Sequence, residues 1–223
     1  MGKWLGRLMM ILGVSALPAA GSPQTNLSDF WIWFEENQAT YFALNSSDAI
    51  TTQRLFDDLH ARLQKIDPDL VFEFGPEIGG KRDFVISAGG IRSAFPAVIA
   101  LAGAAPKLPQ WTIIAFRPRR HPINDIEFKG LKISPDEVFV QVARDDDRVA
   151  LRVFMQGYSS VERERYGSVG YLLLDEALGE YDVETKVGGI DWQPLGAAPP
   201  PHSMKLSELP AFFDSLFPQQ PVH

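Results

Sequence analysis

"DFVISAGGIRSAFPAVIALAGAAPKLPQWTIIAF" (83–116) decides the fold. Phe84 and Ile86 fall on one side of its first segment and Val85 on the other, which is strand spacing. Gly89-Gly90 end that strand. Residues 91–105 read as a short helix with Pro96 in its first turn, where a missing N–H costs nothing, and Pro106 just past its end. "WTIIAF" (111–116) is apolar on both faces and predicts a central strand covered on both sides. Upstream, "DLVFEFGP" (69–76) aligns Leu70, Phe72 and Phe74, and "EIGGKR" (77–82) is a turn. The order is β-β-α-β.

Two helices precede this module. "SDFWIWFEENQATYFAL" (28–44), capped by Ser28 or Asp29, gathers Phe30, Trp33, Phe34, Asn37, Tyr41 and Leu44 on one face. Trp31 and Ile32 lie off that face. After "NSSD" (45–48), Asp48 caps a second helix with Leu55, Phe56, Leu59, Leu63 and Ile66 at helical spacing. Asp67-Pro68 stops it.

A similar order follows. "IEFKGLKIS" (126–134) is an edge strand, and "VFVQVA" and "VALRVFMQG" flank the hairpin turn "RDDDR" (144–148). Ser159-x-x-Glu162 forms a capping box for a helix that ends at Gly179, with Gly167 and Gly170 weakening its middle. "YDVETKVGGIDW" (181–192) reads as the last strand, with Gly188-Gly189 as a bulge. "LSELPAFFDSLF" (206–217) is a terminal helix with Leu209, Phe212, Phe213 and Leu216 inward. The expected fold class is α+β: an N-terminal helix pair, two ferredoxin-like β-β-α-β units with mixed sheet, and a short C-terminal helix. The expected division is a leader over 1–21 and an α+β domain over 22–195, with units near 69–120 and 124–195. A Pro-rich linker and terminal helix occupy 196–223.

Composition bounds the chemistry. At 223 residues, 45% hydrophobic and 22% charged, the chain carries enough apolar mass for a core without staples. It has no cysteine, which excludes disulfides, thiolate catalysis and iron–sulfur clusters. The net charge of −7 argues against nucleic acid as a partner. "MGKWLGRLMMILGVSALPAAGSPQ" (1–24) has Lys3 and Arg7, an apolar run over 8–17, and small residues before Ser22, the layout of a secretory signal peptide. The expected location is periplasmic or secreted if this leader is cleaved, and cytoplasmic otherwise. The run is too short for a stable membrane span, and no later run reaches that length.

Through "FEFGPEIGGKRDFVISAGG" (72–90), "AAPKLPQWTIIAFRPRR" (104–120) and "LLLDEALGEYDVE" (172–184), the chain resembles an uncharacterised bacterial domain family of unknown function. The resemblance covers roughly residues 30–195. It implies an α+β domain without assigned activity and carries no functional residues over.

Catalytic signatures are weak. Gly157-Tyr158-Ser159-Ser160-Val161 and Tyr166-Gly167-Ser168-Val169-Gly170 both miss the nucleophile elbow. His60, His121, His202 and His223 show no metal-ligand spacing, and "RDDDR" reads as a solvated turn rather than a calcium loop. No metal or cofactor is expected, and no catalytic residue is assigned. The acidic segment "DEALGEYDVE" (175–184) could supply acid–base carboxylates, but Asp182 and Glu184 read as a strand's polar face. Asp175 and Glu176 sit near a helix C-terminus, where the helix dipole disfavours them.

The remaining candidate is an anion-binding edge. The strand ending at Gly89-Gly90 leads to Arg92, and the strand ending at Phe116 leads to Arg117, Arg119, Arg120 and His121. A glycine-rich turn with backbone N–H groups, beside arginine forks, suits carboxylate or phosphate. Intramolecular pairing competes: Arg117 could instead clamp the 175–184 segment or Asp125. The expected function is a non-catalytic binding or interaction domain for a small anion or a protein partner, the latter through an exposed strip at Trp31 and Ile32. The alternative is an enzyme that binds an anionic substrate through Arg92, Arg117 and Arg119. It would use His121 or a carboxylate of 175–184 as its acid–base group.

Overall fold

The computed structural model describes residues 23–44 and 49–217. The leader, the Asp48 cap and His223 therefore lie outside the described residues. The chain divides between Phe116 and Arg117 into two compact units. It is α+β, with two N-terminal helices, mixed sheets and a short C-terminal helix.

The first unit runs α1 (Pro23–Phe42), α2 (Ala49–Leu63), β1 (Val71–Phe74), β2 (Arg82–Ser87), α3 (Phe95–Gly103) and β3 (Trp111–Ala115). β1 and β2 pair antiparallel, with Val71 opposite Ser87. β3 pairs parallel to β2, with Arg82 opposite Trp111. The sheet order is β1-β2-β3. This corrects the expectation for "WTIIAF": the middle strand is β2, whose Phe84, Val85 and Ile86 are all buried. β3 is terminal, with Thr112 and Ala115 exposed. A short apolar run looks the same in a middle strand and in a terminal one that packs one face well.

Aromatic rings fill this core. Phe34 and Phe84 stand 4.9 Å apart and Phe74 and Trp111 5.1 Å apart, within the contact range of aromatic pairs. Arg82 is also buried, and its fork donates to the carbonyls of Tyr41 at 3.2 Å and Leu44 at 3.1 Å. It thereby satisfies carbonyls at and just past the C-terminal end of α1, where the helix's own N–H groups run out.

The second unit runs β4 (Ile126–Phe128), β5 (Leu131–Ile133), β6 (Val138–Asp145), β7 (Arg148–Met155), α4 (Arg163–Leu178), α5 (Glu180–Lys186), β8 (Val187–Pro194), β9 (Met204–Lys205) and α6 (Leu209–Leu216). The expected single strand 126–134 is instead a small hairpin. Lys129 and Gly130 both take positive φ, 47° and 72°, and reverse the chain between β4 and β5. β6 and β7 form the expected hairpin, with Asp145 opposite Arg148. β8 lies parallel to β7, and the order is β8-β7-β6-β9. Gly188 falls in the register shift between Val149 and Ala150, a bulge as read. Both units therefore share one pairing scheme, an antiparallel hairpin whose second strand takes a later strand in parallel across a helical connection.

Three further expectations are corrected. Ser159 and Glu162 form no side-chain cap: the Glu162 carboxylate pairs with Arg165 at 3.0 Å, a 3-10 turn covers Ser160–Glu162, and α4 begins at Arg163. Residues 180–186 are helix rather than strand, and an Asp182–Lys186 ion pair at helical i,i+4 spacing supports them. Phe212 is exposed, while Leu206, Leu209 and Phe213 are buried in the second core.

Candidate functional site

The glycine turn after β2 uses its own N–H groups. Gly89 donates to the Ser87 hydroxyl at 2.9 Å, and Ile91 to the Ala88 carbonyl at 3.0 Å. The N–H of Ala94 goes to Ile91. Arg92 is exposed in the 3-10 turn over Arg92–Ala94, and α3 starts only at Phe95. The expected junction of glycine turn and helix N-terminus does not form, because a turn of 3-10 helix intervenes.

Arg117, Arg119, Arg120 and His121 belong to the second unit, where residues 117–124 lie along α4 and α5. Arg117 is only 8% exposed. Its guanidinium reaches Asp175 at 3.3 Å. Its backbone N–H donates to the Glu180 carboxylate at 3.0 Å, and the N–H of Glu180 returns a bond to the Arg117 carbonyl at 3.0 Å. Asp175 is 6% exposed and Glu180 wholly buried. Burial pushes the Asp175 carboxyl up to about 7, against the pull of Arg117 and with the push of Glu180.

Arg119 makes three bonds with one fork: Nε to the Leu178 carbonyl at 2.6 Å, Nη1 to Asp214 at 2.7 Å and Nη2 to Asp182 at 2.9 Å. Burial works against its charge, but the hydrogen bonds to Asp214 and Asp182 outweigh that and raise its pKa. The N–H of Arg120 donates to the Glu176 carbonyl at 2.7 Å. Asn124 donates its backbone and side-chain N–H to the Glu176 carboxylate at 2.6 and 3.0 Å. Both acids at the C-terminal end of α4 thus have partners, Arg117 for Asp175 and Asn124 for Glu176. Arg117 thus meets the 175–184 segment, while Asp125 pairs with Lys132 at 3.0 Å.

A cleft of about 280 Å³ opens beside this segment. Arg119, Arg120 and His121 line it, together with Asp136 and Ser207 and an apolar floor that includes Ile123 and Pro210. The structure thus brings three of the five anion candidates to one cleft, and Arg117, Asp175 and Glu180 do not line it. Asp136 and Ser207 had no sequence signal, because each comes from a separate segment that only the fold brings near. His121, Asp136 and Ser207 are the residue types of a hydrolytic triad. Among the described residues no hydrogen bond joins any two of them, so the nucleophile-to-base contact of a triad is missing.

Trp31 is 3% exposed, and its Nε1 donates to the Leu101 carbonyl at 2.9 Å. The expected exposed strip is thereby overturned: Trp31 is core, and Ile32, 56% exposed, contributes only a single side chain. Among the described residues no cluster of three or more His, Asp or Glu side chains could hold a metal ion, and no helix is long and apolar enough to cross a membrane. Protein-family models, curated proteins and solved structures give no match to this chain.

Proposed function

We propose that this chain is a non-catalytic binding domain that takes a small anion, a carboxylate or phosphate, in the cleft of its second unit. The supporting observation is that Arg120 and His121 line that cleft together with Ser207, a residue whose hydroxyl can donate. The guanidinium groups of Arg117 and Arg119 meet carboxylates of the same chain and hold the segment that carries Arg120 and His121. Asp136 balances part of the charge and favours ligands of low valence. The leader-like residues 1–21 extend the proposal to a domain that works in the bacterial envelope.

The test is a titration of phosphate, sulfate and acetate against melting temperature. Millimolar ligand raises the melting temperature by roughly 2–4 °C in the natural protein, and Arg120→Ala combined with His121→Ala removes the shift. A natural protein indifferent to all three anions defeats the reading.

A further inference from the structure

The segment that lines the cleft is tied at one end to a buried cluster of one guanidinium and two carboxyl groups. Arg117 supplies one positive charge, and Asp175 and Glu180 supply two carboxyl groups, all three buried. With both carboxyls ionised the trio carries a net negative charge away from water, an arrangement that desolvation opposes. Glu184 of α5 adds a further negative field at Asp175, and Tyr171, one turn before it on α4, is the other titratable group beside it. One proton from solvent on an Asp175 oxygen makes the trio neutral. Glu180 then still accepts the Arg117 N–H while its own N–H bonds the Arg117 carbonyl. The strong upward push on the Asp175 carboxyl agrees with that site for the proton.

We propose that the Arg117–Asp175–Glu180 cluster is a proton-operated latch that holds residues 117–124 against α4 and α5 when Asp175 is neutral and loosens them when it ionises. The latch rests on the anion-cleft reading only for its consequence: Arg120 and His121 stand three and four residues beyond Arg117, so loosening disorders the cleft lining. Acid therefore favours the formed cleft, and alkali the loosened one.

The experiment needs no ligand, so its failure is separate from failure of the cleft reading. Nuclear magnetic resonance of the full chain follows the Asp175 side-chain carboxyl carbon from pH 4 to 9. It also follows exchange protection of the Glu180 and Arg120 amides, corrected for intrinsic rates. The carboxyl titrates near neutrality, and both protections fall about tenfold as it ionises. In Asp175→Asn, which keeps the neutral shape, protection stays flat across the range. In Glu180→Gln, which removes the other buried negative charge, the Asp175 midpoint moves down toward the ordinary carboxylate range, and this variant carries the test alone if Asp175→Asn does not fold. An Asp175 midpoint near 4 in the natural protein overturns the latch. So do protections that ignore its titration, or a midpoint that Glu180→Gln leaves in place.

Discussion

Gly170 shows how one missing methyl group sets the packing of the second unit. A Cβ there would lie 2.3 and 2.5 Å from ring atoms of Trp192, a side chain of β8 that is itself buried. The ring cannot retreat without leaving the core. Gly167, three residues earlier on the same helix, has room: its Cβ would stand 3.6 Å from the Trp192 indole nitrogen, an ordinary contact. Alanine in a helix interior gains up to about 1 kcal/mol over glycine, while overpacking costs about 1–3 kcal/mol or more. Gly167→Ala is therefore expected to stabilise by about 0.5–1 kcal/mol and Gly170→Ala to destabilise by about 2 kcal/mol. Urea denaturation of the two variants measures both signs. The two glycines look equivalent as helix weakeners in the sequence, and only the position of Trp192 separates them.

At the scale of elements, Arg119 joins three helices through one planar group. Its fork reaches the last turn of α4 at Leu178, the first turn of α5 at Asp182 and α6 at Asp214. Lysine keeps the charge but not the fork geometry. Arg119→Lys should cost about 2 kcal/mol, read as a fall in the urea midpoint. Arg152→Ala, which breaks an ion pair with Asp191 that is about half exposed on each side, should cost under about 0.5 kcal/mol. The elements themselves were largely legible from the sequence, because burial imposes periods of two and of 3.6 on strands and helices. Legibility failed where two physical readings share one pattern. Asp182-Val183-Glu184 alternates like a strand, yet Asp182 and Lys186 stand four apart and pair along a helix. Lys129-Gly130 is not one of the usual hairpin dipeptides, so the β4–β5 reversal looks like one continuous strand in the sequence. The basic cluster was visible as charge. Arg119 both lines the cleft and clamps its own chain, and the carboxylates that Arg117 and Arg119 meet lie 58 or more positions away, where no spacing rule reaches.

For the whole molecule, the two units carry titratable groups of opposite response, a part-buried one in the first and a buried one in the second. In the second unit the Asp175 carboxyl is raised to about 7, above its ordinary range near 4. The folded state thus holds this proton more tightly than the unfolded chain. Its contribution to stability is complete below about pH 4 and is lost as pH rises through about 7. In the first unit, burial lowers the pKa of His60 on α2, with Asp57 opposing the shift in part. There the folded state disfavours the proton, so the contribution of His60 is present above its ordinary pKa near 6.5 and is lost as pH falls. Acidification from pH 8 to 5.5 should therefore weaken the first unit and strengthen the second. Hydrogen exchange read by mass spectrometry reports both in one sample, through peptides covering 59–74 and 169–183. Protection in the first should fall and in the second should rise. His60→Gln should flatten the first response and leave the second, and Asp175→Asn should do the reverse. Protections that move together in the natural protein, or a single substitution that flattens both, would show one titration governing the chain rather than two opposed ones.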